Sequence, residues 1–242
     1  LTAEQVDGNT AQGDGNVTVA EFVAGDTAVD LSKVEVAGTV TLERADASGN
    51  DDVFSAGLAG SDVEYQLDGD AGTSGEFVLV ADGPTATGTA TVKGFEVGDT
   101  TNGHDKVDFS KFTNVNGDVA FISTSLADPI ADGDLVVFLS SSVESAETIA
   151  AAFAVSTESD FVGTGSVNDL LGADDELIFG LRAIVEDENG DFVQNTNFWH
   201  WSDGDSDGSV DTGELSKVVT LYEFETASLT VDNIILASDQ PT

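Results

Sequence analysis

The chain contains a long internal repeat, and this repeat constrains its fold more than any single motif. Residues 18–27 (T-V-A-E-F-V-A-G-D-T) return as residues 91–100 (T-V-K-G-F-E-V-G-D-T), and each copy is followed by valine, aspartate, an apolar residue, serine and lysine. The next stretch of both copies alternates apolar residues with others, as a strand with one buried face does. Two copies are too few for a solenoid, so the repeat predicts two related β modules, residues 1–88 and 89–242.

Composition indicates a folded, mainly β protein. Of the 242 residues, 40% are apolar, and 14 Phe and two Trp give enough bulk for a core. The 26 Gly, with frequent Asp-Gly and Asn-Gly pairs, are typical of tight turns between short strands. We therefore expect two related β-sandwich-like modules with calcium-binding loops. One short helix is expected in the second module, over residues 142–155, because Ser141 and Glu144 form a capping-box pattern before an alanine-rich run.

The charge balance excludes several classes of partner. The chain carries 46 acidic against 7 basic residues, a formal net charge of −39. Such a surface repels nucleic acid and anionic membranes, so we exclude both as direct partners. No apolar run approaches the ~18 residues of a membrane-spanning helix, and no cysteine is available for a disulfide or a thiol site. Because the chain does not begin with Met, we expect a processed chain or a fragment.

One acidic cluster, residues 203–214 (D-G-D-S-D-G-S-V-D-T-G-E), has the spacing of a twelve-residue calcium loop. Aspartates fill positions 1, 3 and 5, glycine occupies the sharp turn at position 6, and serine at position 7 offers its carbonyl. The aspartate at position 9 suits a water-mediated contact, and the glutamate at position 12 can chelate with both oxygens. Apolar Val210 is expected to anchor the loop in the core. The predicted Ca²⁺ ligands are Asp203, Asp205, Asp207, Ser209, Asp211 and Glu214.

The segments on either side of this loop read as strands, not as the helix pair of a calcium sensor. Residues 197–201 are aromatic, and residues 215–224 are rich in β-branched and aromatic side chains. Alternation places Trp199 and Trp201 on one face of the upstream strand. Burial is the expectation for both indoles, and an exposed pair would instead offer a sugar-stacking platform or a subunit contact. His200 between them is expected to pack in the structure.

Two further acidic segments are weaker candidates for cation binding. Residues 10–21 end like a second calcium loop, but Thr10 and Gln12 would occupy positions 1 and 3, so a strand with an acidic turn is favoured there. Asn189-Gly190 is a strong hairpin signal. The neighbouring acids Asp187, Glu188 and Asp191 are expected to form a solvated turn, with a peripheral cation site as the alternative.

Residues 91–112 (T-V-K-G-F-E-V-G-D-T…D-K-V-D-F-S-K-F) resemble the strand, acidic turn and aspartate–apolar–serine signature of RTX-type proteins exported by type I secretion. The later stretch, with D-E-L-I-F at 175–179, the calcium loop and L-T-V-D-N-I-I-L at 229–236, is similar to terminal modules of bacterial surface-layer proteins. The chain lacks the run of G-G-x-G-x-D nonapeptides that forms a calcium β-roll. The resemblance implies export, folding where calcium is abundant, and a structural or adhesive role.

These features favour a non-enzymatic, secreted calcium-binding structural protein whose copies assemble into a bacterial surface layer or an extracellular filament. The alternative is a calcium-dependent adhesin or carbohydrate-binding module of a larger exported protein, with cell-surface glycans as ligands. A third interpretation is an acidic protein of a salt-accumulating cell, which would fold in potassium without calcium. No enzyme is expected, because His104 and His200 are the only histidines and no nucleophile elbow accompanies them.

Overall fold

The computed structural model describes part of the chain: residues 5, 9–13, 17–22, 29–30, 34–36, 40–44, 52–55, 63–66, 77–81, 83, 89–97, 105–112, 114–115, 117–122, 134–142, 176–187, 189–204 and 210–237. Its strands are β1 (Ala11–Gly13), β2 (Val17–Phe22), β3 (Val29–Asp30), β4 (Val34–Val36), β5 (Val40–Arg44), β6 (Asp52–Ser55), β7 (Val63–Gln66), β8 (Phe77–Val80), β9 (Ala90–Lys93), β10 (Lys106–Asp108), β11 (Val119–Ile122), β12 (Leu135–Ser142), β13 (Glu176–Glu186), β14 (Phe192–Ser202), β15 (Leu215–Tyr222) and β16 (Ile234–Ile235). Short 3-10 turns occupy Thr212–Glu214, Thr226–Ser228 and Val231–Asn233.

The prediction of a mainly β protein is confirmed, and a β-sandwich-like arrangement of sheets fits the structure. Valine, threonine, isoleucine and the aromatic residues form these strands because their branched or bulky side chains pack well on a pleated surface. The helix predicted over residues 142–155 lies almost wholly outside the described residues. Its first residue, Ser142, is the last residue of β12.

The chain divides into two compact units. The first contains Leu1–Phe112, Val218–Tyr222 and Leu229–Thr242, and the second contains Thr113–Lys217 and Glu223–Ser228. The first unit is therefore discontinuous in sequence. Both copies of the repeat, at residues 18–27 and 91–100, belong to it.

Parallel strands build the first unit. One of its sheets has the order β15-β9-β7-β5-β2, and a second has the order β16-β10-β8-β6-β3. A third, two-stranded sheet pairs β1 with β4, also in parallel. From β5 to β10, successive strands alternate between the two larger sheets. Each pair of strands is thus one turn of a coil, which is the arrangement of a β-solenoid.

The sequence repeat corresponds to two turns of this coil. Thr18 pairs with Thr41, Thr41 with Glu64, and Glu64 with Thr91, so that the two copies are the first and fourth rungs of one ladder. Both copies therefore lie in one compact unit, and the division of the chain into modules 1–88 and 89–242 stays a prediction. The turns between the copies retain apolar residues on either side of this rung, where Val17 and Val19 correspond to Val40 and Leu42, then to Val63 and Tyr65, and then to Ala90 and Val92.

The aspartate–apolar–serine signature forms a turn in the second copy. The Oδ1 atom of Asp108 accepts the backbone N–H of Ser110 at 2.7 Å, an arrangement that short polar side chains favour at turns. This turn directs the intervening residue, Phe109, into the core. Phe109 packs edge-on against Phe112, with ring centroids 6.0 Å apart, and both rings are buried. The signature thus ends β10 and anchors the chain that follows it.

The second unit contains a sheet with the order β11-β12-β13-β14. The first three strands are parallel, and β13 and β14 form a long antiparallel hairpin in which Glu176 pairs with Ser202 and Glu186 with Phe192. Both faces of this hairpin carry buried side chains. Leu177 and Trp201 lie opposite each other on one face, and Ile178 and Phe198 are buried on the other. The sheet is therefore the centre of the core of this unit.

Candidate metal centre

The predicted calcium loop joins two strands, as expected from its flanking sequence. β14 ends at Ser202, and β15 begins at Leu215 directly after the 3-10 turn Thr212–Glu214. The structure describes residues 201–204 at the start of the loop and 210–214 at its end. Three of the predicted ligands, Asp205, Asp207 and Ser209, lie outside the described residues, so their placement stays a prediction.

The two ends of the loop meet at Glu214. The backbone N–H of Gly204, at loop position 2, donates a hydrogen bond to Oε1 of Glu214, at position 12, over 2.7 Å. The N–H of Asp211 donates a longer bond of 3.4 Å to Oε2 of the same carboxylate. The first and last segments of the loop are thereby closed into a ring, as a loop that wraps an ion requires.

Glu214 is also held by the protein core. The indole N–H of Trp201 donates to its Oε2 atom at 3.1 Å, and Trp201 is fully buried. Each oxygen of the carboxylate therefore has a donor within 3.1 Å. A carboxylate oxygen has two lone-pair directions, so Oε1 keeps one of them free, whereas on Oε2 a cation would replace the long 3.4 Å bond from Asp211.

Burial distinguishes the remaining described positions of the loop. Val210, at position 8, is only 3% exposed, which confirms that it anchors the loop in the core. Asp203, at position 1, is buried, whereas Asp211, at position 9, is exposed. Burying an ionised carboxylate costs free energy unless hydrogen bonds or a cation compensate it. The first predicted ligand is thus in the environment where a bound cation would contribute most.

Within the described segments, no group of three or more histidine, aspartate or glutamate side chains has the geometry to hold a metal ion. Of the six predicted ligands, only Asp203, Asp211 and Glu214 belong to those segments.

The two tryptophans and the histidine between them are buried. Trp201 is fully buried and Trp199 is 8% exposed, so burial is confirmed and the pair forms no exposed stacking platform. His200 is also buried, and its Nε2 atom lies 3.4 Å from Oε2 of Glu176. The other oxygen of Glu176 accepts the side-chain N–H of Asn114 at 2.9 Å. Burial lowers the pKa of His200 below its ordinary value, and the charge of Glu176 partly opposes that shift.

The other acidic candidates form turns in the described structure. Asp187 accepts the backbone N–H groups of Asp191 and Asn189 at 2.8 and 2.9 Å, and the side-chain N–H of Asn189 at 3.1 Å. These bonds, that from Asp191 first, lower the pKa of the Asp187 carboxyl. The hairpin prediction is confirmed, although its connection spans residues 187–191 rather than two residues. Glu188 lies outside the described residues.

Residues 17–22 form β2, which agrees with the strand favoured there over a second calcium loop. The contact that sequence reasoning missed is the bond from Trp201 to Glu214. Its only sequence signal is an indole two residues before the loop on a core-facing strand.

Comparisons with protein-family models, curated proteins and solved structures found no match for this chain. Among the described residues, no helix combines the length and the apolar character that a membrane span demands.

Proposed function

We propose that this chain is a non-enzymatic, calcium-binding structural protein, exported to the cell surface or beyond, whose copies assemble into a layer or a filament. The observation that supports it best is the hydrogen bond that joins the two ends of the loop between β14 and β15. In this bond the backbone N–H of Gly204 donates to Oε1 of Glu214 at 2.7 Å. A loop held by strands suits a fixed structural site, because a sensor needs helices that swing apart. Calcium would act here as a clamp on the β14–β15 connection.

The charge of the chain supports calcium as the clamp. Four aspartates and one glutamate stand within the twelve residues 203–214, with no lysine or arginine among them. Calcium takes six to eight oxygen ligands at roughly 2.3–2.6 Å, which carboxylates and carbonyls of one tight loop can supply. In the absence of a cation these carboxylates would repel one another, and the strand connection would be strained by that repulsion.

The solenoid of the first unit supports self-assembly. Among its described strands, β3 and β16 stand at opposite edges of one parallel sheet. Edge strands present backbone donors and acceptors that can pair with another chain. Pairing of β3 of one copy with β16 of the next would extend the same parallel ladder. Such a head-to-tail contact generates a filament when the rotation between successive copies does not close a ring.

Calcium would also reduce the repulsion between copies. Each copy carries a formal charge of −39, and like charges on approaching surfaces oppose association unless salt or bound cations screen them. Export fits this requirement, because calcium is abundant outside the cell, as the resemblance to RTX-like surface proteins implies.

The test is a thermal unfolding series with and without calcium. Calcium at about one hundred times its dissociation constant should stabilise the protein by about 2.7 kcal/mol. For a chain of this size that corresponds to a rise in Tm of about 5–10 °C. The double variant Asp205→Asn with Asp207→Asn should lose this rise. Asp232→Asn, which removes an exposed charge in the first unit, should keep it.

Electron microscopy and light scattering of the same samples test assembly. Filaments or layers should form in calcium and disperse in a chelator, while potassium at equal ionic strength should not replace calcium. Stability that rises equally in potassium would support the interpretation as a salt-adapted acidic protein and contradict this proposal. Monomers that persist in saturating calcium would contradict the assembly part alone.

A further inference from the structure

We propose that Trp201 is a positioning residue that fixes the Glu214 carboxylate for two-oxygen binding and so gives the loop its preference for calcium over magnesium. This inference rests on the proposed function, because it concerns the same loop. It assigns a role to a core side chain that does not itself touch the ion.

The geometry fixes the plane of the carboxylate. Both oxygens are held by donors: the N–H of Gly204 lies 2.7 Å from Oε1, and the indole N–H of Trp201 lies 3.1 Å from Oε2, where the N–H of Asp211 adds a longer bond of 3.4 Å. Rotation about the bond that carries the carboxylate would carry at least one oxygen away from its donor. Because Trp201 is fully buried, its indole cannot follow that rotation without disturbing the core.

The chemistry of the two ions turns this rigidity into selectivity. Calcium accepts six to eight oxygens in flexible geometry, and a bidentate glutamate at position 12 supplies two of them. Magnesium requires near-ideal octahedral geometry at roughly 2.0–2.1 Å, which one carboxylate cannot satisfy with both oxygens. To bind magnesium, Glu214 would have to turn toward one-oxygen binding and give up a hydrogen bond. Loss of a hydrogen bond to a charged group corresponds to about ten-fold or more in affinity.

The chain contains a matched control for this role. Trp199 lies two residues before Trp201 on the same strand and on the same face, and it is also buried. Its indole nitrogen has no hydrogen-bond partner within the described residues. Trp199→Phe and Trp201→Phe therefore remove the same indole ring from the same core face, but only the second removes a donor to Glu214.

The experiment compares calcium and magnesium binding by titration calorimetry in the wild type and in these two variants. Trp201→Phe should reduce the ratio of calcium to magnesium affinity by about ten-fold, whereas Trp199→Phe should leave that ratio unchanged. Equal ratios in all three proteins would overturn the inference while leaving calcium binding intact. A wild type that binds no calcium would overturn the proposed function, and the inference with it.

A measurement on metal-free protein keeps the test valid if Trp201→Phe fails to fold. The indole N–H resonance of Trp201 should be shifted by its hydrogen bond to the carboxylate in the wild type, and Glu214→Ala should abolish that shift. The resonance of Trp199 serves as the reference in the same spectrum, and Asp211→Ala should change neither. A Trp201 indole resonance at the same position in the wild type and in Glu214→Ala would refute the positioning contact.

Discussion

Substitution of Gly180 by alanine tests the packing at the centre of the second unit. Gly180 lies in β13 between Val137 of β12 and Phe198 of β14. A Cβ atom added there would lie 3.1 Å from Cε1 of Phe198 and 3.1 Å from Cγ2 of Val137. Both contacts are shorter than ordinary van der Waals separations by a few tenths of an ångström. Since the two neighbours are fully buried on flanking strands, neither has free space into which to withdraw.

The expected cost follows from two opposing effects. Replacing glycine by alanine at a position of ordinary backbone geometry stabilises a protein by about 0.4–1 kcal/mol through the unfolded chain. Overpacking of a well-filled core costs about 1–3 kcal/mol. The packing term is larger, so Gly180→Ala should destabilise the protein by about 1–2 kcal/mol. For a chain of this length, Tm should fall by about 2–8 °C.

The assay is thermal unfolding followed by circular dichroism, with Gly13→Ala as the control. Gly13 is also a strand residue, but a Cβ atom added there would contact nothing within 4 Å. Gly13→Ala should therefore leave Tm unchanged or raise it slightly. In a double-mutant cycle, Val137→Ala should relieve part of the cost of Gly180→Ala, because it removes the Cγ2 methyl group that crowds the added Cβ. A rise in Tm for Gly180→Ala, equal to that of Gly13→Ala, would refute the reasoning.

Two further predictions concern side chains near the hairpin. The pKa of His200 is lowered by burial, so the unfolded chain takes up a proton first as pH falls below about 6.5 and the folded protein loses stability there. The Tm of the wild type should therefore fall relative to that of His200→Gln from pH 7.5 to pH 5.5. A rise of the wild-type Tm relative to that of the variant would contradict the burial argument. Phe192 at the hairpin end is 77% exposed, so Phe192→Ser should change Tm by no more than about 2 °C. A large loss of Tm in that variant would show that its ring is covered.

Local patterns in the sequence predicted the local features of the structure. Alternation and β-branched content placed strands on both sides of the loop, and Asn189-Gly190 marked the hairpin between β13 and β14. The apolar residue at loop position 8, Val210, is buried as its spacing implied. These predictions succeeded because each depends on residues that lie close together in sequence. The hairpin connection is longer than two residues because the Asp187 carboxylate accepts the backbone N–H groups of Asn189 and Asp191.

The non-local features could not be predicted in the same way. On the rung of Thr18 and Thr91, the two turns between the repeat copies have Thr41 and Glu64, so the threonine is lost at the second turn while apolar residues remain on either side of the rung. A search for identical residues therefore finds only the two copies at residues 18–27 and 91–100. Pairing across long separations depends on the register of the whole sheet, which no short pattern encodes.

The discontinuity of the first unit has a consequence for how the nascent chain matures on the ribosome. β9 ends at Lys93, but the residues of β15 that pair with it begin at Val219. Likewise, β10 pairs with β16, which begins at Ile234. At roughly 5–20 residues per second, translation needs roughly 6–25 s to reach the partner of β9. During this interval one side of β9 has to await the strand that will cover it. Contacts of such long sequence separation also form slowly after release. The early coils must therefore tolerate an incomplete state until β15 and β16 pair with β9 and β10.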